Sequence, residues 1–163
     1  MIIETIKKSD INDIVRIENA GFNPAEAGSK QAYLARIAAF PTTFLVARQA
    51  INTPVIGFVC GPIVKEHFIQ DWMYEKAPKN LSENGHQMIL TIAVDPDYQG
   101  QHVGSKLLDA IKKIDIKNKC QSIALTCLAD RIPFYEKNGY KNLGESKSSH
   151  AGETWYNMEF QLR

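Results

Sequence analysis

One segment of the sequence, from Met88 to Ile114, constrains the fold more than any other. Residues 88–94 are almost continuously apolar, which is typical of a central strand covered on both faces. A glycine-bearing loop follows this run, and apolar residues then recur at helical spacing from Val103 onward. The segment therefore predicts a buried strand, a loop and an amphipathic helix in direct succession.

The loop between this strand and this helix is suited to bind an anion. A glycine such as Gly100 lets the backbone approach a ligand closely and adopt a positive φ angle. The first N–H groups of the helix lack internal acceptors and carry partial positive charge, so the segment suits a pyrophosphate. The alternative is that Gly100 and Gly104 only permit a tight strand-to-helix turn. The spacing matches neither a P-loop nor the G-x-G-x-x-G dinucleotide fingerprint.

The first part of the chain predicts a strand, two helices and a pair of antiparallel strands. These elements are a short strand at 2–6, a helix capped by Ser9-Asp10, a second helical stretch opened by Asn23-Pro24 and ended by Phe40-Pro41, and strands at 42–47 and 54–60. The first helix has one face at helical spacing, made of Ile11, Ile14, Val15 and Glu18. Residues 65–86 show no clean period, and a long irregular segment of this kind is often a binding loop.

The last third of the chain predicts a second buried strand, a short helix and a closing strand. Residues 123–128 form the predicted strand, and Asp130 is the expected cap of the helix that follows. Pro133 lies in the first turn of this helix, and Asn138-Gly139 ends it. Residues 152–163 predict an edge strand. The order of elements predicts a mixed α/β fold with helices on both faces of a sheet.

Length and charge limit the class of protein. The chain has 163 residues, which suits a single domain spanning 1–163. It carries 19 Lys and Arg against 18 Asp and Glu, so no whole-domain field favours nucleic acid or an anionic membrane as a partner. The three cysteines are scattered and indicate neither a disulfide framework nor a metal site. Because the sequence shows no signal peptide and no apolar run of about 20 residues, we expect a cytoplasmic protein.

Two motifs carry a resemblance to a known family. The loop fits the pattern Q/R-x-x-G-x-G/A at six consecutive residues, which are Gln99, Gly100, Gln101, His102, Val103 and Gly104. It resembles motif A of the GCN5-related N-acetyltransferases (the GNAT family), although His102 stands where the family has its middle glycine. Residues 132–140 resemble the family's motif B, Y-E/D-x-x-G-F/Y. Residues 148–158 are similar, less specifically, to the arylalkylamine N-acetyltransferase-like branch of the family.

The resemblance implies a GNAT-like acyl-CoA N-acyltransferase fold with a mixed, mostly antiparallel sheet. It also implies acetyl transfer from acetyl-CoA to a primary amine by direct attack in a ternary complex, without a metal. The pyrophosphate would lie on main-chain amides of residues 99–105, and the pantetheine arm would add like a strand along residues 92–94. The implied cofactor-binding residues are Ile92, Ala93, Val94, Gln99, Gly100, Gln101, His102, Val103, Gly104, Ser105, Asp130 and Tyr135.

Tyr135 occupies the family's position for the catalytic general acid that protonates the departing CoA thiolate. A phenol is protonated at neutral pH and able to donate. The alternative is that the aromatic pair packs on the sheet, and Phe134 is the better candidate for that role. A backbone N–H near Ile92 or Val94 is the expected stabiliser of the thioester carbonyl.

The general base stays open. Many family members carry a Glu on the strand before motif A, and the arylalkylamine branch has histidines there, but Met88, Leu90 and Thr91 occupy those positions. His86 is either a base acting through water or a solvated loop histidine. Three carboxylates either hold a cationic substrate or are simply solvated: Glu26, Asp71 and Glu75.

Further residues near the cleft have two interpretations. Cys127 is either the nucleophile of a two-step transfer or a small core residue. One cluster either lines the acceptor pocket or anchors its loop, namely Trp72, Met73 and Tyr74. A second cluster is expected to alternate between core and pocket, namely Trp155, Tyr156 and Met158.

Three functions compete at this point. The leading prediction is an acetyl-CoA-dependent N-acetyltransferase, and the alternatives are a non-catalytic acyl-CoA-binding or sensor module and an interaction domain without CoA affinity. The presence of Tyr135 favours the enzyme, whereas the lack of an obvious base favours the binding module. The predicted acceptor is a small-molecule or peptide amine of unspecified identity, and an exposed final strand would support a homodimer.

Overall fold

The computed structural model describes residues 1–22 and 27–163. Its strands are β1 (Ile2–Thr5), β2 (Phe44–Arg48), β3 (Val55–Cys60), β4 (Ile63–Val64), β5 (His86–Ile89), β6 (Thr91–Val94), β7 (Ser122–Cys127), β8 (Lys141–Glu145) and β9 (Tyr156–Gln161). Its helices are α1 (Ile11–Gly21), α2 (Lys30–Ala39), α3 (Trp72–Glu75), α4 (Val103–Lys117) and α5 (Ile132–Lys137). The predicted opening of the second helix at Asn23-Pro24 lies outside the described residues, and α2 is capped by Ser29, whose Oγ accepts from the Ala32 amide.

The strands form two sheets, which are mostly antiparallel, as the resemblance implied. The first has the order β1-β2-β3-β6, with every described pair antiparallel. The second has the order β4-β5-β7-β9-β8, in which β5 and β7 are parallel and the other described pairs are antiparallel.

The apolar run 88–94 is divided between these two sheets, so the prediction of one continuous strand is wrong. β5 pairs with β7, whereas β6 pairs with β3, and the chain changes sheet at Leu90. Here the Leu90 amide donates to the Cys60 carbonyl at 2.9 Å. A Cβ on Gly61 would lie 1.7 Å from the Met88 carbonyl oxygen, so this close crossing requires glycine. Because β6 and β7 belong to different sheets, a cleft opens between them.

Helices cover both faces of the first sheet, which confirms the predicted layering. Neighbouring residues of a strand point to opposite faces. On one side of β3, a Cβ on Gly57 would lie 3.0 Å from Val103 at the start of α4. On the other side, the Phe58 ring packs edge-on against Tyr33 of α2, with ring centroids 5.6 Å apart.

The closing strand is not an edge strand, so that prediction is wrong. β9 lies between β7 and β8, and β8 forms the edge. β8 is not predicted from the sequence, because residues 141–145 lack apolar alternation and are all exposed. With β9 paired on both sides, the ground for the predicted homodimer is removed.

The stretch 65–86 also contains more regular structure than its sequence predicts. It includes the short helix α3 and ends at His86, which already belongs to β5. No helix within residues 1–22 and 27–163 is long and apolar enough to cross a membrane.

Candidate active site

A cavity of about 760 Å³ lies where β6 and β7 diverge. It is bounded by the loop that leads into α4, by β6 and β7, and by one face of α5. The edge of β6 that points away from β3 has no strand neighbour within the described residues. The cavity therefore connects an open strand edge with the N-terminus of a helix.

The loop before α4 has the backbone conformation that an anion-binding turn requires. Gly100 has φ +79°, and His102, the residue before the first turn of α4, has φ +64° and ψ +19°. The amides of residues 103–105 begin α4 and have no acceptors within the helix. These features favour the predicted phosphate site, and the positive φ of His102 explains why glycine is usual at this position of the motif.

The structure brings nearly all the predicted cofactor-binding residues to the cavity. Those that line it are Ile92, Ala93, Val94, Gln99, Gly100, His102, Val103, Gly104, Ser105, Asp130 and Tyr135. Gln101 does not line it within the described residues. Gly104 also has a packing role, because a Cβ there would lie 3.0 Å from the Phe134 ring.

Tyr135 sits on α5 and lines the cavity with only 7% of its surface exposed. Its ring packs edge-on against Phe134 and Tyr140, at centroid distances of 5.1 and 5.9 Å. Burial, and then the neighbouring Cys127, raise the pKa of the Tyr135 phenol above its ordinary value. The phenol is therefore protonated at neutral pH. Phe134 is less buried than Tyr135, so the expectation that Phe134 is the core member of the pair is wrong.

A sequence model described as an acetyltransferase (GNAT) domain matches residues 41–142, more than half of the chain. The chain belongs to the GNAT acetyltransferase family. This confirms the resemblance carried by motifs A and B, and with it the prediction of an acetyl-CoA-dependent N-acetyltransferase. The arylalkylamine-like branch stays a prediction.

Individual relatives of this GNAT domain are distant in sequence. The catalytic subunit NAA20 of the N-terminal acetyltransferase B complex of Arabidopsis thaliana is 25% identical over 141 residues, which cover 83% of this chain and 72% of that protein. The loading GNATL domain of CurA from Lyngbya majuscula has a TM-score of 0.81 at 12% identity, over 98% of this chain and 96% of that one. Arabidopsis thaliana Naa50 in complex with the bisubstrate analogue CoA-Ac-MVNAL has a TM-score of 0.74 at 18% identity, over 99% of this chain and 98% of that one. The two structural likenesses confirm the predicted fold.

The base candidate drawn from the sequence, His86, is not well placed in this GNAT domain. His86 is a strand residue rather than a loop residue, and Ser122 Oγ lies 2.7 Å from its Nδ1. Burial, and then the neighbouring His67, lower the pKa of His86, and its side chain is not among the described residues that line the cavity. Glu26 lies outside the described residues.

The remaining carboxylates proposed as cation ligands differ in their position. Asp71 accepts a hydrogen bond from Ser148 Oγ at 2.7 Å, and it is not among the described lining residues of the cavity. Glu75 is exposed and lines the cavity. Asp130 is exposed in a short 3-10 turn and makes no capping hydrogen bond there, so the prediction of a helix cap is wrong.

Cys127 lines the cavity as a buried thiol. Burial, and then the charge of Asp130, raise its pKa to about 11. Because the thiolate is the nucleophilic form, this environment favours the core interpretation over covalent catalysis. Among the described residues, no group of three or more His, Cys, Asp or Glu side chains is arranged to hold a metal ion.

The aromatic clusters divide between pocket and core. Tyr74 lines the cavity, where its ring stacks on His150 at a centroid distance of 5.6 Å, and Trp155 lines it as well, with its indole N–H donating to the His150 carbonyl. Met73 and Met158 are fully buried in the core.

Two buried charged residues that sequence reasoning did not assign to the site also line the cavity. Glu18 of α1 is 2% exposed and Arg36 of α2 is 3% exposed. The sequence pattern indicates that Glu18 is buried, since this residue continues the buried face of Ile11 and Ile14 at helical spacing. A charged residue on an otherwise apolar helix face indicates a partner or a function.

Proposed function

We propose that this GNAT domain transfers the acetyl group of acetyl-CoA directly to a primary amine in a ternary complex. One observation carries the proposal: a single cavity joins the first amides of α4, the open edge of β6 and the phenol of Tyr135. The acceptor is a small-molecule or peptide amine. Peptide acceptors gain support from the N-terminal acetyltransferase relatives, one of which binds an analogue in which CoA is joined to an acetylated peptide.

The residues present fit coenzyme A. The positive φ angles at Gly100 and His102 turn main-chain donors toward the N-terminus of α4, where a diphosphate is favoured. The unpaired edge of β6 offers backbone groups to the amides of the pantetheine arm. When bound, acetyl-CoA supplies the activated acyl group.

The residues of the chain then have distinct roles. An amide of β6 near Ile92 donates to the thioester carbonyl and stabilises the charge that develops on its oxygen. Tyr135 donates its phenolic proton to the sulfur as the carbon–sulfur bond breaks. The raised pKa of Cys127 disfavours its thiolate and therefore an acetyl-cysteine intermediate.

Tyr135→Phe tests this function. The variant should lower turnover by about 100-fold, the usual contribution of a general acid, and should keep the affinity for acetyl-CoA within a factor of about two, because the phenyl ring preserves the packing. The measurements are CoA thiol release with a panel of amines, and calorimetric titration with acetyl-CoA.

Tyr140→Phe is the matched control, since Tyr140 is a buried neighbour of Tyr135 that is not among the described lining residues of the cavity. It should retain turnover. Unchanged turnover in Tyr135→Phe would remove Tyr135 from the mechanism. Binding of acetyl-CoA without thiol release for any amine would indicate the non-catalytic binding module instead.

A further inference from the structure

The acceptor side of the cavity contains two buried charges that the mechanism above does not use. Glu18 and Arg36 line the cavity and are almost fully buried. Buried charges are costly unless they are paired. Within the described structure, however, these two side chains form no ion pair with each other, and both Glu18 Oε2 and Arg36 Nε lack a hydrogen-bond partner. They are close enough for the Arg36 charge to act on the Glu18 carboxylate, but they do not neutralise each other by contact.

The Glu18 carboxylate is only half satisfied. Its Oε1 accepts a hydrogen bond from the Gly28 amide at 2.7 Å, whereas its buried Oε2 has no hydrogen-bond partner among the described residues. A Cβ on Gly28 would lie 3.4 Å from Oε1 and 2.8 Å from the Tyr33 ring, so glycine is needed where these groups converge. A buried carboxylate oxygen without a donor is rare in folded proteins. The position of Glu18 Oε2 at a cavity indicates that a bound ligand supplies the missing hydrogen-bond donor.

Glu18 is also linked to the strand edge where acyl transfer is proposed. The Tyr33 hydroxyl donates to Thr91 Oγ1 at 3.3 Å, and an Arg36 guanidinium N–H donates to the same oxygen at 3.4 Å. Thr91 is the first residue of β6 and precedes Ile92. The Glu18 side of the cavity is therefore adjacent to the edge along which the acyl arm would lie.

The electrostatics of Glu18 suit proton transfer. Burial raises the pKa of Glu18 above its ordinary value, while the Gly28 amide, the Tyr33 hydroxyl and the Arg36 charge act in the opposite direction. A raised pKa makes this carboxylate a stronger base than an exposed one.

We propose that Glu18 is the general base of this GNAT domain: its Oε2 binds the ammonium group of the acceptor and takes one proton from it. The acceptor is then a primary alkylamine that enters the cavity in its protonated form. The inference rests on the proposed acetyl transfer.

The resulting step balances. Proton transfer gives neutral Glu18 and a free amine, whose nitrogen forms a bond to the acetyl carbon. The carbon–sulfur bond breaks, and its electron pair leaves on sulfur, which takes the Tyr135 proton. The second proton of the attacking nitrogen restores the Tyr135 phenol, and Glu18 releases its proton to solvent.

The test compares two acceptors of nearly the same size, phenethylamine and its β,β-difluoro analogue. Fluorine lowers the basicity of the amine, so the analogue is largely neutral near pH 7 and needs no base before attack. The Glu18→Gln variant keeps an oxygen for the Gly28 amide and removes only the charge and basicity. Glu83→Gln, which removes one exposed carboxylate that is not among the described lining residues of the cavity, is the matched control.

Glu18→Gln should lower kcat/KM for phenethylamine by about 100-fold, and for the difluoro analogue by less than about tenfold. It should also move the acidic limb of the pH profile of kcat/KM for phenethylamine toward the pKa of the amine itself, because only the free amine then reacts, while Glu83→Gln follows the parent protein. Equal losses for both amines would show a merely structural role and overturn the proposal. Unchanged kinetics would overturn it as well.

Failure of the proposed function gives a different result. If the parent protein releases no thiol with either amine, the proposed acetyl transfer to this class of amine fails. Binding of phenethylamine to the CoA-loaded protein then tests whether Glu18 binds the ammonium group. Calorimetric affinity that is lost in Glu18→Gln and kept in Glu83→Gln supports the ammonium site. Equal affinity in both variants, or no binding by the parent, overturns it.

Discussion

The backbone at His102 provides a quantitative test of the loop that begins α4. His102 adopts φ +64°, a left-handed conformation in which its Cβ is crowded by the backbone. Its side chain makes no capping hydrogen bond to the helix that would offset this strain. His102→Ala and His102→Gly both remove the imidazole, so the difference in stability between the two variants isolates the effect of the Cβ.

The expected difference follows from two opposing effects. The left-handed conformation costs an L-residue about 1–2 kcal/mol. Glycine avoids this cost, but its extra freedom in the unfolded chain destabilises it by about 0.5–1 kcal/mol relative to alanine. We therefore expect His102→Gly to exceed His102→Ala by about 1 kcal/mol in the free energy of unfolding, or about 2–4 °C in Tm for a chain of this length.

Urea unfolding followed by circular dichroism measures this difference. Lys113, an exposed residue inside α4, provides the matched control, because alanine should there be more stable than glycine by about 1 kcal/mol. Replacing alanine by glycine should therefore raise the free energy of unfolding at position 102 and lower it at position 113. If His102→Ala were as stable as His102→Gly, the left-handed strain assigned to this loop would be refuted.

Two further predictions concern stability elsewhere in the fold. Burial raises the pKa of Asp115 to about 8, so its contribution to stability is present below its unfolded-state pKa and is lost as the pH rises through about 8. In urea unfolding, the free energy of unfolding of Asp115→Asn relative to that of the parent should increase between pH 4 and pH 8. A pH-independent difference would contradict this. Gly61→Ala should lose about 1–3 kcal/mol or more, since its Cβ would lie 1.7 Å from the Met88 carbonyl oxygen. Gly21→Ala, with no atom within 4 Å of the new Cβ, should not lose stability in the same assay, and equal effects would refute the close crossing.

The features that the sequence predicts well depend on neighbours along the chain. The strand, loop and helix around Gly100 form one continuous segment, so their order and the exposed first amides of α4 follow from apolar periodicity and glycine placement. Tyr135 is likewise located by a short motif that contains its own turn signals. Local sequence patterns are therefore sufficient to predict which residues form the proposed cofactor-binding side of the cavity.

The features that the sequence does not predict depend on long-range packing. The change of sheet at Leu90 is set by the pairing of β6 with β3 and of β5 with β7, and an apolar run has the same appearance in either arrangement. The strand β8 lacks a hydrophobic face and is stabilised by pairing with β9. The approach of Glu18 and Arg36 depends on how α1 packs on α2, which no spacing within either helix reveals.

Calorimetric titration of the protein with acetyl-CoA tests the central claim most directly. The account predicts saturable one-to-one binding, and stabilisation by about 2.7 kcal/mol at an acetyl-CoA concentration 100 times the dissociation constant. His102→Ala should bind through the same main-chain amides. Absence of both binding heat and thermal stabilisation with acetyl-CoA and with free CoA would contradict the proposed diphosphate site and the acetyl transfer that depends on it.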